Sequence, residues 1–182
     1  RGLGDVYKRQ GRSKIAATGH VGSIFMRNSN EVSSVPSHGA VKTVVVPAAG
    51  MGTRFLPATK TVPKELLPVV DTPGIELIAE EAAQLGAQRL AVVVAPQKEE
   101  IMAHFGEFST LRETLAARGK DEQVAKVARA GELIDAISVT QDKPLGLGHA
   151  VGCAEVALDD DEDVVAVMLP DDLVLPAGVM EK

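Results

Sequence analysis

Apolar residues fall along this chain in two periods. Four short runs, 44–46, 90–95, 137–140 and 164–169, are mostly apolar and rich in valine and alanine. Apolar, β-branched runs of that length predict strands buried on both faces, as in a parallel sheet. Between them the spacing turns helical. Ile75, Ile78, Ala79, Ala82 and Leu85 stand at i, i+3, i+4, i+7 and i+10, one face of a helix over 73–85. Thr72 is placed to cap it, Pro73 suits its first turn, and Gly86 can close it in the left-handed conformation. Further helices are expected over 98–105, over the highly charged stretch 109–133 with a break at Gly119, and over 148–158. The acidic turn 159–163 reads as a solvated loop without metal-setting geometry.

Four strands alternate with three helical connections, which implies right-handed crossovers and a parallel α/β sheet covered by helices. A Rossmann-like order 3-2-1-4 would make the first and fourth strands neighbours at a topological switch point. The loop after the first strand and Asp171, just past the fourth, would then emerge side by side at the carboxyl edge. The fourth strand would be an open edge, prone to association.

The loop after the first strand carries the chemistry. Pro47 ends the valine run, and Gly50 and Gly52 follow, with Arg54, Lys60 and Lys64 close behind. Glycine permits positive φ and close backbone approach, so successive N–H groups can converge on an anion. Strand, glycine turn and fixed positive charge together are what polyphosphate binding requires. A P-loop is excluded because no lysine follows Gly52 directly, and Pro57, Pro63 and Pro68 rule out a long helix. A dinucleotide fingerprint would need a third glycine where Phe55 stands. Arg54 suits a leaving pyrophosphate because its planar fork donates to two oxygens at once. Asp171, past a strand end, could hold Mg²⁺ against phosphate oxygens; Asp172 is a weaker candidate. Lys60 reads equally well as a solvated loop residue.

G-x-G-T-R at 50–54, P-K-E-L-L-P at 63–68, Q-D-K-P-L-G-L-G-H-A at 141–150 and L-P-D-D at 169–172 together resemble the sugar-1-phosphate nucleotidyltransferase family. The similarity is to its bacterial branch that joins UTP and glucose 1-phosphate. It runs from about Val41 to the last residue. The resemblance implies transfer of a uridylyl group to glucose 1-phosphate, giving UDP-glucose and pyrophosphate, with Mg²⁺ as cofactor. It implies catalytic roles for Arg54, Lys64 and Asp171, with Asp171 on the metal and Lys64 neutralising charge near the α-phosphate. It implies nucleotide binding by Ala49, Gly50, Gly52, Thr53 and Arg54, with Glu65, Gln141, Gly146 and the Ala49–Gly50 backbone around the base. The Gln141 carboxamide carries both donor and acceptor, matching an imide edge such as that of uracil. His149 reads as a supporting residue rather than a general base, and Cys153 as core filling. Two alternatives stay open: the same chemistry with dTTP, and a catalytically dead regulatory subunit. By resemblance the residues gripping the sugar belong to a half not present here, so the nucleotide-binding part, 41–182, is expected to be incomplete. The full-length protein is expected to be a homo-oligomer.

Charge divides the chain where the resemblance begins. Residues 1–40 carry a balance of +4 and residues 41–182 a balance of −10. So acidic a domain makes a poor nucleic-acid surface. The first forty residues lack periodicity apart from a faint apolar patch at 24–26. They are expected to be a disordered or non-native leader. No apolar run approaches the roughly 20 residues of a membrane span, and the single cysteine fits a reducing compartment. These observations set the expectation of a cytoplasmic enzyme.

Overall fold

The four apolar runs form adjacent strands of one parallel sheet. The computed structural model describes residues 41–170, together with the backbone of two earlier strands at 15–20 and 23–28. In chain order the elements are β1 (Ile15–His20), β2 (Ser23–Asn28), β3 (Thr43–Pro47), β4 (Pro68–Val69), β5 (Thr72–Pro73), α1 (Gly74–Gln84) and β6 (Arg89–Val94). They continue with α2 (Glu99–Ala103), α3 (Ser109–Ala116), α4 (Asp121–Leu133), β7 (Asp135–Thr140), α5 (Leu147–Cys153) and β8 (Val164–Met168). The parallel strands lie in the order β7-β6-β3-β8. This is the expected 3-2-1-4 order, with β3 and β8 adjacent across the switch point.

Alternation along the strands sends side chains to both faces of the sheet. Val44, Val46, Leu90, Val92 and Val94 pack under α1 and α2, against Ile75, Ile78, Ala82 and Ile101. Val45, Ala91, Val93, Val165 and Val167 pack on the opposite face against Ala150, Val151 and Ala154. Gly86 and Gly119 both take positive φ, at 81° and 66°, closing α1 and separating α3 from α4 as expected. Thr72 does not cap α1. It is drawn into the two-stranded ribbon β4–β5, and its hydroxyl donates to Asp71.

Two further expectations are corrected. The acidic turn is a latch as well as a solvated loop. The Glu162 carboxylate accepts from the Thr43 backbone N–H at 2.6 Å and from its hydroxyl at 2.9 Å. Asp161 pairs with Lys42 at 2.9 Å, and Asp159 with Arg89 at 3.3 Å. The turn thus ties the starts of β3 and β6 to the strand that follows it. The edge of β8 is also not open. β2 pairs with it antiparallel, from Ser23 opposite Met168 to Arg27 opposite Val164, and β1 pairs with β2. No strand was expected before residue 41. The patch at 24–26 lies within β2, and an unpaired β8 would present a row of unused N–H and C=O groups.

The charged excursion is fastened to α1 by a buried carboxylate. Glu76, 6% exposed, meets His104 Nε2 at 2.9 Å and Arg129 at 3.1 Å. Arg129 also holds Glu80 at 2.7 Å. The hydrogen bond to Glu80, with the charge of both carboxylates, raises the guanidinium above its ordinary value.

Candidate active site

Ala48 N–H donates to Val93 O at 2.7 Å, so the first residue after β3 is still tied to β6. The chain then leaves the sheet. Gly52 turns it at φ 63°, and a Cβ there would meet Lys64 Cβ and Thr59 Cγ2 at 3.1 Å. Both conformation and space therefore require glycine. Thr59 closes the turn by donating its hydroxyl to Gly52 O at 2.8 Å. The one-turn helix Thr53–Phe55 follows and leaves Arg54 exposed. The close fit at Gly52 carries the Lys64 stem against the glycine loop, although Lys64 lies 12 positions on. Gly50 is the opposite case, since a Cβ there would meet nothing within 4 Å. Its outer side is open to a ligand.

Beneath this loop sits a residue to which the sequence reading gave no role. Lys98, just past β6, donates from Nζ to Ala48 O at 2.7 Å, to Gly50 O at 2.5 Å and to Glu65 Oε2 at 3.0 Å. All three ammonium protons are used, each on a different part of the loop system. Glu65 has a fully covered side chain. Its Oε1 has no hydrogen-bond partner among the described residues, and Lys64 Nζ lies 3.8 Å away. The carboxylate of Glu65, expected beside a base, is enclosed between Lys64 and Lys98. A lysine two residues after the strand-ending Pro96 was the available signal for Lys98.

The third part comes from β7. Gln141 N–H donates to Val94 O at 2.8 Å, extending the β6–β7 pairing, and the residue is 5% exposed. Its Nε2 lies 3.3 Å from Gly146 O and 2.9 Å from His149 Nδ1. Gly146 has φ 97°, which lets the chain turn directly into α5. His149 is thus engaged by Gln141, with the Cys153 thiol 3.8 Å from the same ring nitrogen. Cys153 is half-buried and packs against the α5-side core.

The carboxyl ends of β3, β6 and β7 therefore bring together the Ala49–Gly52 backbone, Thr53, Lys64, Lys98, Gln141 and Gly146. From β3 to β7 is two strand spacings, roughly 10 Å, a span suited to a nucleotide lying across the edge. Lys60 lies exposed in the turn Ala58–Lys60. Asp171 and Asp172 lie outside the described residues, which end at Pro170 beyond β8. Among the described residues no three His, Cys, Asp or Glu side chains gather as metal ligands, and none of their helices is long and apolar enough to cross a membrane.

The nucleotidyl transferase family profile matches residues 43–181. A UTP–glucose-1-phosphate uridylyltransferase of Bacillus subtilis is 45% identical over 134 residues, covering 74% of this chain and 45% of that protein. The UDP-glucose pyrophosphorylase of Acinetobacter baumannii superposes with a TM-score of 0.66 at 42% identity, over 72% of this chain and 46% of the other. A UTP-bound structure of the enzyme from that organism gives the same values. The chain spans about half the length of the curated relatives it matches.

Proposed function

The chain belongs to the nucleotidyl transferase family, and from that premise we propose that the full-length protein transfers a uridylyl group from UTP to glucose 1-phosphate, giving UDP-glucose and pyrophosphate. One observation carries the reading. A glycine loop flanked by Arg54 and Lys64 shares a sheet edge with a carboxamide at Gln141, so cations for phosphates and an imide reader stand two strands apart. The relatives named for UTP favour uridine over the thymidine alternative.

A phosphate oxygen of the sugar phosphate attacks the α-phosphorus of UTP in line. The bond from that phosphorus to the bridging oxygen of pyrophosphate breaks. The nucleophile is already ionised at neutral pH, so no general base is needed, in keeping with the engagement of His149 by Gln141. The loop N–H groups of Ala49 to Thr53 cradle the phosphates, while Arg54 takes the charge that develops on the leaving pyrophosphate. Lys64, held against Gly52, neutralises the α-phosphate. Gln141 and the Gly146 backbone hold the base, and Glu65 acts through Lys98 on the shape of the loop. Holding both reactants in line can itself supply about 7–11 kcal/mol of the barrier.

Glu65 is enclosed by lysines; the carboxylate that would hold Mg²⁺ with phosphate oxygens is that of Asp171, one residue past Pro170. When bound, Mg²⁺ would neutralise phosphate charge. Residues 41–182 form the nucleotide-binding part in this reading, with 1–40 a leader beside it. The whole protein is taken as a cytoplasmic homo-oligomer that binds neither nucleic acid nor membrane.

The test is turnover of the full-length protein across a panel of nucleoside triphosphates and sugar 1-phosphates. UDP-glucose should form fastest. A preference for another pair would replace the substrate assignment, and no nucleotidyl transfer with any pair would end it.

A further inference from the structure

We infer that His149 is a specificity-determining positioning residue. It holds the Gln141 carboxamide with its oxygen toward the base, so that the site accepts a pyrimidine carrying an N3–H and refuses cytosine. The inference rests on the uridylyl reading above and deepens it.

Gly146 O identifies which amide atom is the nitrogen. A backbone carbonyl can only accept, and this one already takes the Ala150 N–H at 3.1 Å. The Gln141 amide atom facing it at 3.3 Å must therefore be the nitrogen. The contact from the same nitrogen to His149 Nδ1, at 2.9 Å, then makes Nδ1 an acceptor and leaves the ring proton on Nε2. Both side-chain hydrogen bonds of Gln141 among the described residues use Nε2. What the carboxamide retains for a ligand is the acceptor, Oε1. Uracil and thymine donate N3–H to such an oxygen; cytosine presents a lone pair at N3 instead. Gln141 is 5% exposed, so water is poorly placed to repair a mismatch, and unpaired buried polar groups are what give a site its discrimination. α5 holds the imidazole in place because Ala150 and Val151, its immediate neighbours, are buried against the sheet.

Binding of UTP and CTP should be measured by calorimetry on the full-length wild type, His149→Asn and His149→Leu. The wild type should prefer UTP. Asparagine offers an acceptor close to the position of Nδ1 and should keep most of that preference. Leucine removes the shorter of the two contacts that hold the amide nitrogen, and the UTP-to-CTP ratio should fall about tenfold, the worth of one hydrogen bond. Affinity for inorganic tripolyphosphate should stay unchanged across all three. Nitrogen-15 spectra of the wild type give a reading that needs no variant, with His149 protonated at Nε2. A wild type indifferent to UTP and CTP, a His149→Leu protein with its preference intact, or a proton on Nδ1 would each overturn the inference. Turnover separates it from the broader reading. A base preference that follows His149 without UDP-glucose formation would sink the reaction and leave this assignment standing.

Discussion

Arg54 sits in a one-turn helix with no acidic partner among the described residues, so its charge is held outward for a ligand. Replacing it with alanine should lower kcat about 10²-fold or more while changing KM for UTP little, because its interaction strengthens as pyrophosphate leaves. Pyrophosphate release at saturating UTP measures this. Lys98 works the other way, inside the protein. Lys98→Met would leave the buried Glu65 carboxylate to the more distant Lys64 Nζ at 3.8 Å, and breaking a buried pair costs about 3–5 kcal/mol. Urea unfolding of Lys98→Met beside Lys98→Met/Glu65→Gln should show the second change recovering part of the loss. The loop that gathers Arg54, Lys64 and the two glycines was legible because these residues stand in one stretch. Lys98 was not, since its contacts with Ala48 and Gly50 span 50 and 48 positions and exist only because β6 lies beside β3. Glu65 was assigned from a motif, and a motif does not say whether a carboxylate faces the base or the interior.

The same division between local pattern and distant partner holds for the elements. The parallel sheet followed from continuous apolar runs alternating with helical periods, and the order 3-2-1-4 only from likeness to a Rossmann-type sheet. The latch at 159–163 was read as solvated because its partners, Lys42, Thr43 and Arg89, lie far back in the chain. Thr72 had the composition of a cap, but pairing in the β4–β5 ribbon took it instead. The latch predicts an acid signature. Its hydrogen bond and charge attraction to Lys42 hold Asp161 below its ordinary 3.8, so the pair stabilises the fold above that pH and the effect is lost as pH falls through the lowered value. Thermal unfolding of wild type and Asp161→Asn should therefore differ near neutrality and converge below pH 3.8. The pair is solvent-exposed, and added salt should shrink the difference as well. A difference unchanged at low pH would mean Asp161 acts by something other than charge.

For the whole molecule, the sheet reaches beyond the four strands that the sequence pattern specified. The leader contributes β1 and β2 along β8, whereas composition alone gave it no reason to order. Limited proteolysis weighs the two directly. Rapid trimming to about Val41 is the outcome expected of a leader standing outside the nucleotide-binding part, and protection of 15–28 would make the hairpin a working part of the sheet. The central claim concerns which bond the full-length protein breaks. UTP labelled at the α-phosphorus, incubated with glucose 1-phosphate and Mg²⁺, follows that atom. The account predicts that the label passes into UDP-glucose while unlabelled pyrophosphate appears in an amount equal to the UDP-glucose formed. Label remaining in free uridine nucleotides, with no UDP-glucose formed, would contradict it.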